Sequence, residues 1–203
     1  MKVNFESEKP YTDEACKAAT GRTIGELYAY LDEIDGIKLG RRESVNRIYE
    51  MTNKDGWWAT TIATEYESHK GQVKKDGLAE GYGICSTKTV NAPIEATYTA
   101  FSTPAGLSEW FGEGLSGGSA EGEEFGNADG QGKWLRLRPG KDVRFIWRPT
   151  GAVSDWLIDA MLADKNGKTA ITVNSTRIQN RPEADGCRAA WGEALNRLKA
   201  KFD

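Results

Sequence analysis

The sequence predicts an α+β protein in which a curved antiparallel sheet wraps around a long C-terminal helix, with a small helical bundle ahead of it. Three observations carry this expectation. Apolar residues recur at helical spacing from Tyr11 to Lys75. After Gly81 the period changes to alternation, with hairpin signals at Pro139-Gly140 and Asn166-Gly167. The chain then closes on Pro182 to Phe202, where Cys187, Trp191, Ala194, Leu195, Leu198 and Phe202 form one continuous apolar stripe.

Each element has its own signal. Thr12 can cap a first short helix, with Asp13 and Glu14 in its favourable first turn. Thr23 and Glu26 have capping-box spacing, and Ile24, Leu27, Tyr28, Leu31 and Ile34 follow at the helical period until Gly36. A third helix spans Arg42 to Thr52 with Val45, Ile48 and Tyr49 on one side, and a fourth follows Asp55-Gly56 with Trp57, Trp58, Ile62 and Tyr66. The charged, glycine-punctuated stretch Lys70 to Glu80 reads as a linker.

Beyond it, Ile84 to Val90 reads as a strand, and Pro93 opens a helix presenting Ile94, Tyr98 and Phe101. Thr103-Pro104 opens another, with Leu107, Trp110 and Phe111 on its apolar side. Gly112 to Gly132 suggests irregular edge strands near Ala120 to Phe125. In Lys133 to Arg138, Leu135 and Leu137 alternate with Arg136 and Arg138, as in a strand with one apolar side. Val143, Phe145 and Trp147 share a face of the next strand, as do Trp156, Ile158, Ala160 and Leu162 of the one after. A single long helix is the natural cover for the apolar face of such a sheet, an arrangement known as a helix grip. The expected organisation is a disordered lead-in over residues 1–10, a small helical domain over 11–75 and the helix-grip domain over 81–203.

Composition narrows the function. With 203 residues, 38% hydrophobic and 28% charged, the chain is long enough to bury a real core and has no disordered bias. A net charge of -3 argues against a nucleic-acid partner. Cys16, Cys85 and Cys187 are far apart, so neither a disulfide framework nor a metal site is expected. The acidic N-terminal stretch lacks the apolar run of a signal peptide, and no segment is long and apolar enough for a membrane span, so a cytoplasmic location is expected.

The motif set carries a resemblance. Lys88-Thr89-Val90 with Ala92-Pro93, Ala100-Phe101, Thr103-Pro104, Leu107 with Glu109-Trp110-Phe111, the hairpin Pro139 to Trp147 and the terminal Ala190 to Leu198 helix together resemble the START-like (SRPBCC) superfamily. The pollen-allergen-like proteins and polyketide cyclases belong to it, and the match is to its branch of homologues of the activator of the heat-shock-protein-ninety ATPase. The resemblance covers residues 81–203. Thr20 to Thr23 and Gly56 to Glu67 look like a small helical domain of unknown function that bacteria often fuse ahead of such domains.

The resemblance implies a cavity between the sheet and the C-terminal helix, lined by Trp110, Phe111, Phe145, Trp147, Trp156 and Trp191. The bland alternative is that these aromatics simply fill a core. Arg136, Arg138, Arg144 and Arg148, with Asp155 and Asp159, read as cross-strand charge pairs on a solvated outer face rather than as an anion pocket. His69, the only histidine, reads as a surface residue, and no Ser-His-Asp or Cys-His arrangement can be assembled without it. The glycine-rich stretch Gly112 to Gly118 matches no phosphate-binding motif and is expected to be a loop at the cavity mouth. The expected function is therefore non-enzymatic binding of a small hydrophobic or amphipathic ligand, with no cofactor. The alternatives are a cochaperone-like module with a protein partner, or a cyclase- or hydrolase-type enzyme.

Overall fold

In the computed structural model, which describes residues 1–203, side-chain caps set the helices where the sequence signals them. Contacts divide the chain into two units, Ser7–Gly81 and Met1–Glu6 with Tyr82–Asp203.

The helical unit holds α1 (Asp13–Thr20), α2 (Ile24–Glu33), α3 (Gly36–Leu39), α4 (Arg41–Met51) and α5 (Gly56–His69). Thr12 caps α1 and Thr23 caps α2, where both halves of the capping box with Glu26 form. Gly36 begins the extra turn α3 rather than simply ending α2, after Asp35 takes a left-handed backbone. At α5 the Asp55 carboxylate accepts from the Trp57 and Trp58 amides at 2.9 and 3.2 Å. Leu27, Leu31, Ile48, Trp58, Ile62 and Tyr66 form this unit's core. Burial on α5 also takes in Ala59, Thr61, Ala63 and Thr64, well beyond the single stripe its sequence suggests. A surface cavity of about 210 Å³ lies beside the Arg41–Glu67 ion pair.

The other unit is built on one antiparallel sheet in the order β1-β7-β6-β5-β4-β3-β2. Its strands are β1 (Tyr82–Val90), β2 (Ser116–Gly117), β3 (Glu124–Asn127), β4 (Gly130–Arg138), β5 (Asp142–Pro149), β6 (Trp156–Lys165) and β7 (Lys168–Ile178). Asn166 and Gly167 both have positive φ (55° and 81°), as the tight turn between β6 and β7 demands. Part of the expected glycine-rich loop is the edge strand β2, paired to β3. Between β1 and β2 lie α6 (Ile94–Ser102) and α7 (Pro104–Ser108), the latter capped by the Thr103 hydroxyl. Gly106 lets them meet closely, since a Cβ there would stand 2.5 Å from the Thr99 carbonyl oxygen. The final helix α8 (Arg181–Phe202) starts at the Asn180 cap and packs on β1 and β7.

Two readings of the sequence are corrected. Leu135 points outward and is 39% exposed, whereas Trp134 is buried. The cause is a register shift between Trp134 and Arg136: Trp134 pairs with Phe145, Leu137 with Val143, and Leu135 is the extra residue of a bulge. An added residue flips the side-chain alternation, so Gly130, Gly132 and Trp134 set the inner face before it and Leu137 after it. The second correction concerns the start of the chain. Met1–Glu6 belongs to the sheet unit, and Met1, only 1% exposed, joins its core.

Candidate ligand-binding site

All six aromatics singled out in the sequence are buried in the core of the sheet unit. Phe111 is the hub of five of them. Its ring lies 5.8 Å from Trp110, 6.1 Å from Phe145, 5.0 Å from Trp147 and 5.4 Å from Trp191, centroid to centroid. The approaches are tilted or edge-on, as ring quadrupoles prefer. Trp110 also meets Trp191 at 6.2 Å, which joins α7 and its following turn to α8. Trp156 is placed beside Trp147 by the β5–β6 register. Two rings that the sequence reading passed over extend the cluster: Phe125 stacks on Trp134 at 4.1 Å, and both reach Phe145. The signal for Trp134 was present in the Gly130-x-Gly132-x-Trp134 alternation, where two glycines on the inner face leave room for large rings.

The indole N–H groups separate these tryptophans into two kinds. Trp110 donates to the Ala100 carbonyl at 3.0 Å, Trp134 to the Gly118 carbonyl at 2.9 Å and Trp156 to Glu183 Oε2 at 2.9 Å. Trp147 and Trp191, the two that flank Phe111, bury their N–H groups without an acceptor. A buried donor left unpaired costs about 1–3 kcal/mol. These two indoles therefore mark the polar deficit of an otherwise apolar interior.

Glu183 is a further polar residue that the sequence reading missed. It is buried on the first turn of α8, where Oε1 accepts from the Val153 amide at 2.8 Å and Asn180 Nδ2 at 3.0 Å. With Trp156 on its other oxygen, one carboxylate ties the β5–β6 turn, β6 and the helix start together, and the helix N-terminus favours its charge. Burial pushes the Cys187 thiol on α8 up to about 12, so it stays protonated and chemically quiet.

Next to the hub, Trp110, Phe111 and Gly112 form the wall of a surface cavity of about 260 Å³ whose rim carries Lys2, Glu109, Asp129 and Arg197. Arg197 Nε donates to the Trp110 carbonyl at 2.8 Å, fixing this edge to α8. The Met1 amine stands 3.6 Å from Asp129. Burial lowers its pKa to about 6, although the Asp129 charge pulls the other way.

The arginines lie elsewhere. Arg136, just past the bulge, and Arg144, which alternates with the buried Val143 and Phe145, lie on the outer face with Asp142, whose own side chain is buried. Arg136 and Arg138 pair with Asp142, Arg136 and Arg144 with Asp159, and Arg148 with Asp155. Burial alone would raise the Asp142 pKa, but hydrogen bonds from Arg138 and Arg136 outweigh it and hold the carboxyl below its usual range. This network matches the charge-pair reading of the sequence. His69 packs beside Tyr28 at the end of α5, in the other unit.

An open antiparallel sheet gripping a long C-terminal helix around an aromatic interior is a helix-grip domain of the START-like class. The chain belongs to the family described as Activator of Hsp90 ATPase homolog 1-like protein, whose model matches residues 91–203. Similar solved structures include CalU16 from Micromonospora echinospora, 21% identical over 61% of this chain and 75% of that one, with TM-score 0.54. The Aha1 dimer from Colwellia psychrerythraea is 21% identical over 60% of this chain and 96% of its own, with TM-score 0.51. An HSP90 activator from Plasmodium falciparum is 13% identical over 60% and 96%, with TM-score 0.55. At these identities the likeness is one of fold. No curated protein sequence matches the chain, and no helix is long and apolar enough to cross a membrane.

Proposed function

We propose that the sheet unit binds a small, partly apolar ligand that carries a hydrogen-bond acceptor, without chemical conversion. The reading rests on one observation: Trp147 and Trp191 hold unpaired N–H donors beside Phe111, which also lines the surface cavity next to Gly112. A ligand that reached these indoles would supply the acceptor they lack, and its apolar body would be received by Phe111, Phe145 and Trp110. Trp156 would bound the site without binding the ligand's polar end, because its own N–H is taken by Glu183. Native mass spectrometry of the gently purified protein tests this reading. A co-purifying small molecule lost from a Trp191→Phe variant supports it, while identical ligand-free masses across a panel of apolar ketones, fatty acids and aromatic acids overturn it.

A second reading, a protein-interaction module of cochaperone type, is supported by the outer face of the sheet. Leu135 and Met161 are 39% and 42% exposed there, flanking the Arg–Asp network. The family description and the Plasmodium falciparum neighbour give the partner class, an Hsp90-type chaperone. Titration calorimetry with such a chaperone should show binding that a Leu135→Asp/Met161→Asp variant loses. The absence of heat at micromolar concentrations removes this reading.

A further inference from the structure

Residues Met1 to Glu6 alternate inward and outward as an extended segment, with Met1, Val3 and Phe5 on the inward side and Lys2, Asn4 and Glu6 exposed. Three glycines on three separate elements make room for it. A Cβ at Gly112, beside Phe111, would stand 2.5 Å from the Met1 nitrogen. One at Gly186 on α8 would overlap the Asn4 carbonyl oxygen and approach Val3 Cγ1 to 2.9 Å, and one at Gly151 in the β5–β6 turn would come within 3.2 Å of the Phe5 ring. The seat is thus shaped for a backbone to lie directly on α8 and both neighbouring turns. Yet no backbone hydrogen bond ties residues 1–6 to a strand or helix. Space remains on both sides of the segment: the cavity of about 260 Å³ at Trp110 and Phe111, and another of about 430 Å³ between Val3, Asn4, Gly186 and Ala190.

We infer that Met1–Phe5 is a displaceable strap that closes the aromatic site. A segment held by three apolar side chains and one terminal ion pair, from the Met1 amine to Asp129, with no ladder, belongs to the least stable part of a fold and opens without global unfolding. Its release would join the two cavities and uncover Trp110 and Phe111, the two rings of the cluster that line the first of them. The strap would then set the site's apparent affinity, because a ligand sees only the fraction of molecules in which the strap is out. The inference rests on the ligand-binding reading above for its consequence, but not for its geometry.

The test is a full-length Val3→Asp/Phe5→Asp variant, which places charges on the inward side of the strap and leaves its seat untouched. The probes are acrylamide quenching of tryptophan emission and titration with the amphipathic dye anilinonaphthalene sulfonate. If the strap covers the entrance about nine-tenths of the time or more, its release tightens dye binding about tenfold or more. A synthetic peptide with the sequence of Met1–Glu6 should reverse the gain when added in excess. Equal dye affinity in folded wild-type and variant proteins overturns the strap and leaves the binding reading intact. Greater quenching in the variant with no dye bound by either protein keeps the strap and sinks the binding reading. Should the variant fail to fold, tryptic release of Met1-Lys2 from the wild type decides: cleavage while circular dichroism stays native supports the strap, and none before global unfolding refutes it.

Discussion

Glu183 offers the most discriminating test of how the sheet unit is held together. Both its oxygens accept only from donors: Oε1 from the Val153 amide and Asn180 Nδ2, Oε2 from the Trp156 indole. In Glu183→Ala the Val153 and Trp156 N–H groups lose their acceptor, at about 1–3 kcal/mol each and about 2–6 kcal/mol together. Glu183→Gln would usually count as conservative, but here its NH₂ group must face one of these donors, whichever way the amide turns. It should therefore cost about 1–3 kcal/mol, equivalent to one orphaned donor. Urea unfolding followed by circular dichroism reads this as a lower midpoint at unchanged slope, in the order wild type, Gln, Ala. Trp156→Phe removes one donor, so Glu183→Gln should cost less in that background, a coupling that the double-mutant cycle measures. A Glu183→Gln midpoint equal to wild type would refute the claim that the carboxylate acts through its two acceptor oxygens.

Other outcomes follow from the same packing. Phe111→Ala removes the ring on which Trp110, Phe145, Trp147 and Trp191 converge, and should cost about 3–5 kcal/mol in denaturant titrations; a loss below about 1 kcal/mol would mean the hub collapses freely. Gly106→Ala drives a methyl into the Thr99 carbonyl and should lower the thermal midpoint, with a loss of about 1–3 kcal/mol as in overpacked cores. The Asp142 carboxyl has its folded pKa below its unfolded one, so its contribution is present above the unfolded value and is lost as pH falls through the folded value. Urea midpoints of wild type and Asp142→Asn should therefore differ at neutral pH and converge in acid; a pH-independent gap would contradict the assignment.

Much of the fold could be read from the sequence because its signals are local. Thr12, Thr23, Asp55 and Thr103 sit immediately ahead of the helices they cap, and a capping oxygen need reach only two or three residues along its own chain. Asn166-Gly167 announces its hairpin because two successive positive φ angles suit few other residue pairs. The aromatic set was legible too, since rings at alternate strand positions and on a helix stripe have no other face to turn to. What each ring does in the interior was not. Whether an indole N–H finds a carbonyl, as in Trp110, or none, as in Trp191, depends on the partner that the fold brings opposite.

The sequence alone therefore determined the α+β class, the family, the order of the main helices and strands, and six of the aromatic residues of the core. Tertiary structure decided the rest. A single bulge exchanged Trp134 for Leu135 at the inner face, because the alternation of a strand is reset by register with its neighbour and not by its own composition. The buried carboxylate of Glu183 became a junction only once α8, β6 and the β5–β6 turn met around it. Met1–Phe5, too polar and too short to announce itself, found its place only because Gly112, Gly151 and Gly186, distant in sequence, cleared one path in space. Those contacts join residues far apart along the chain, and no local propensity encodes them.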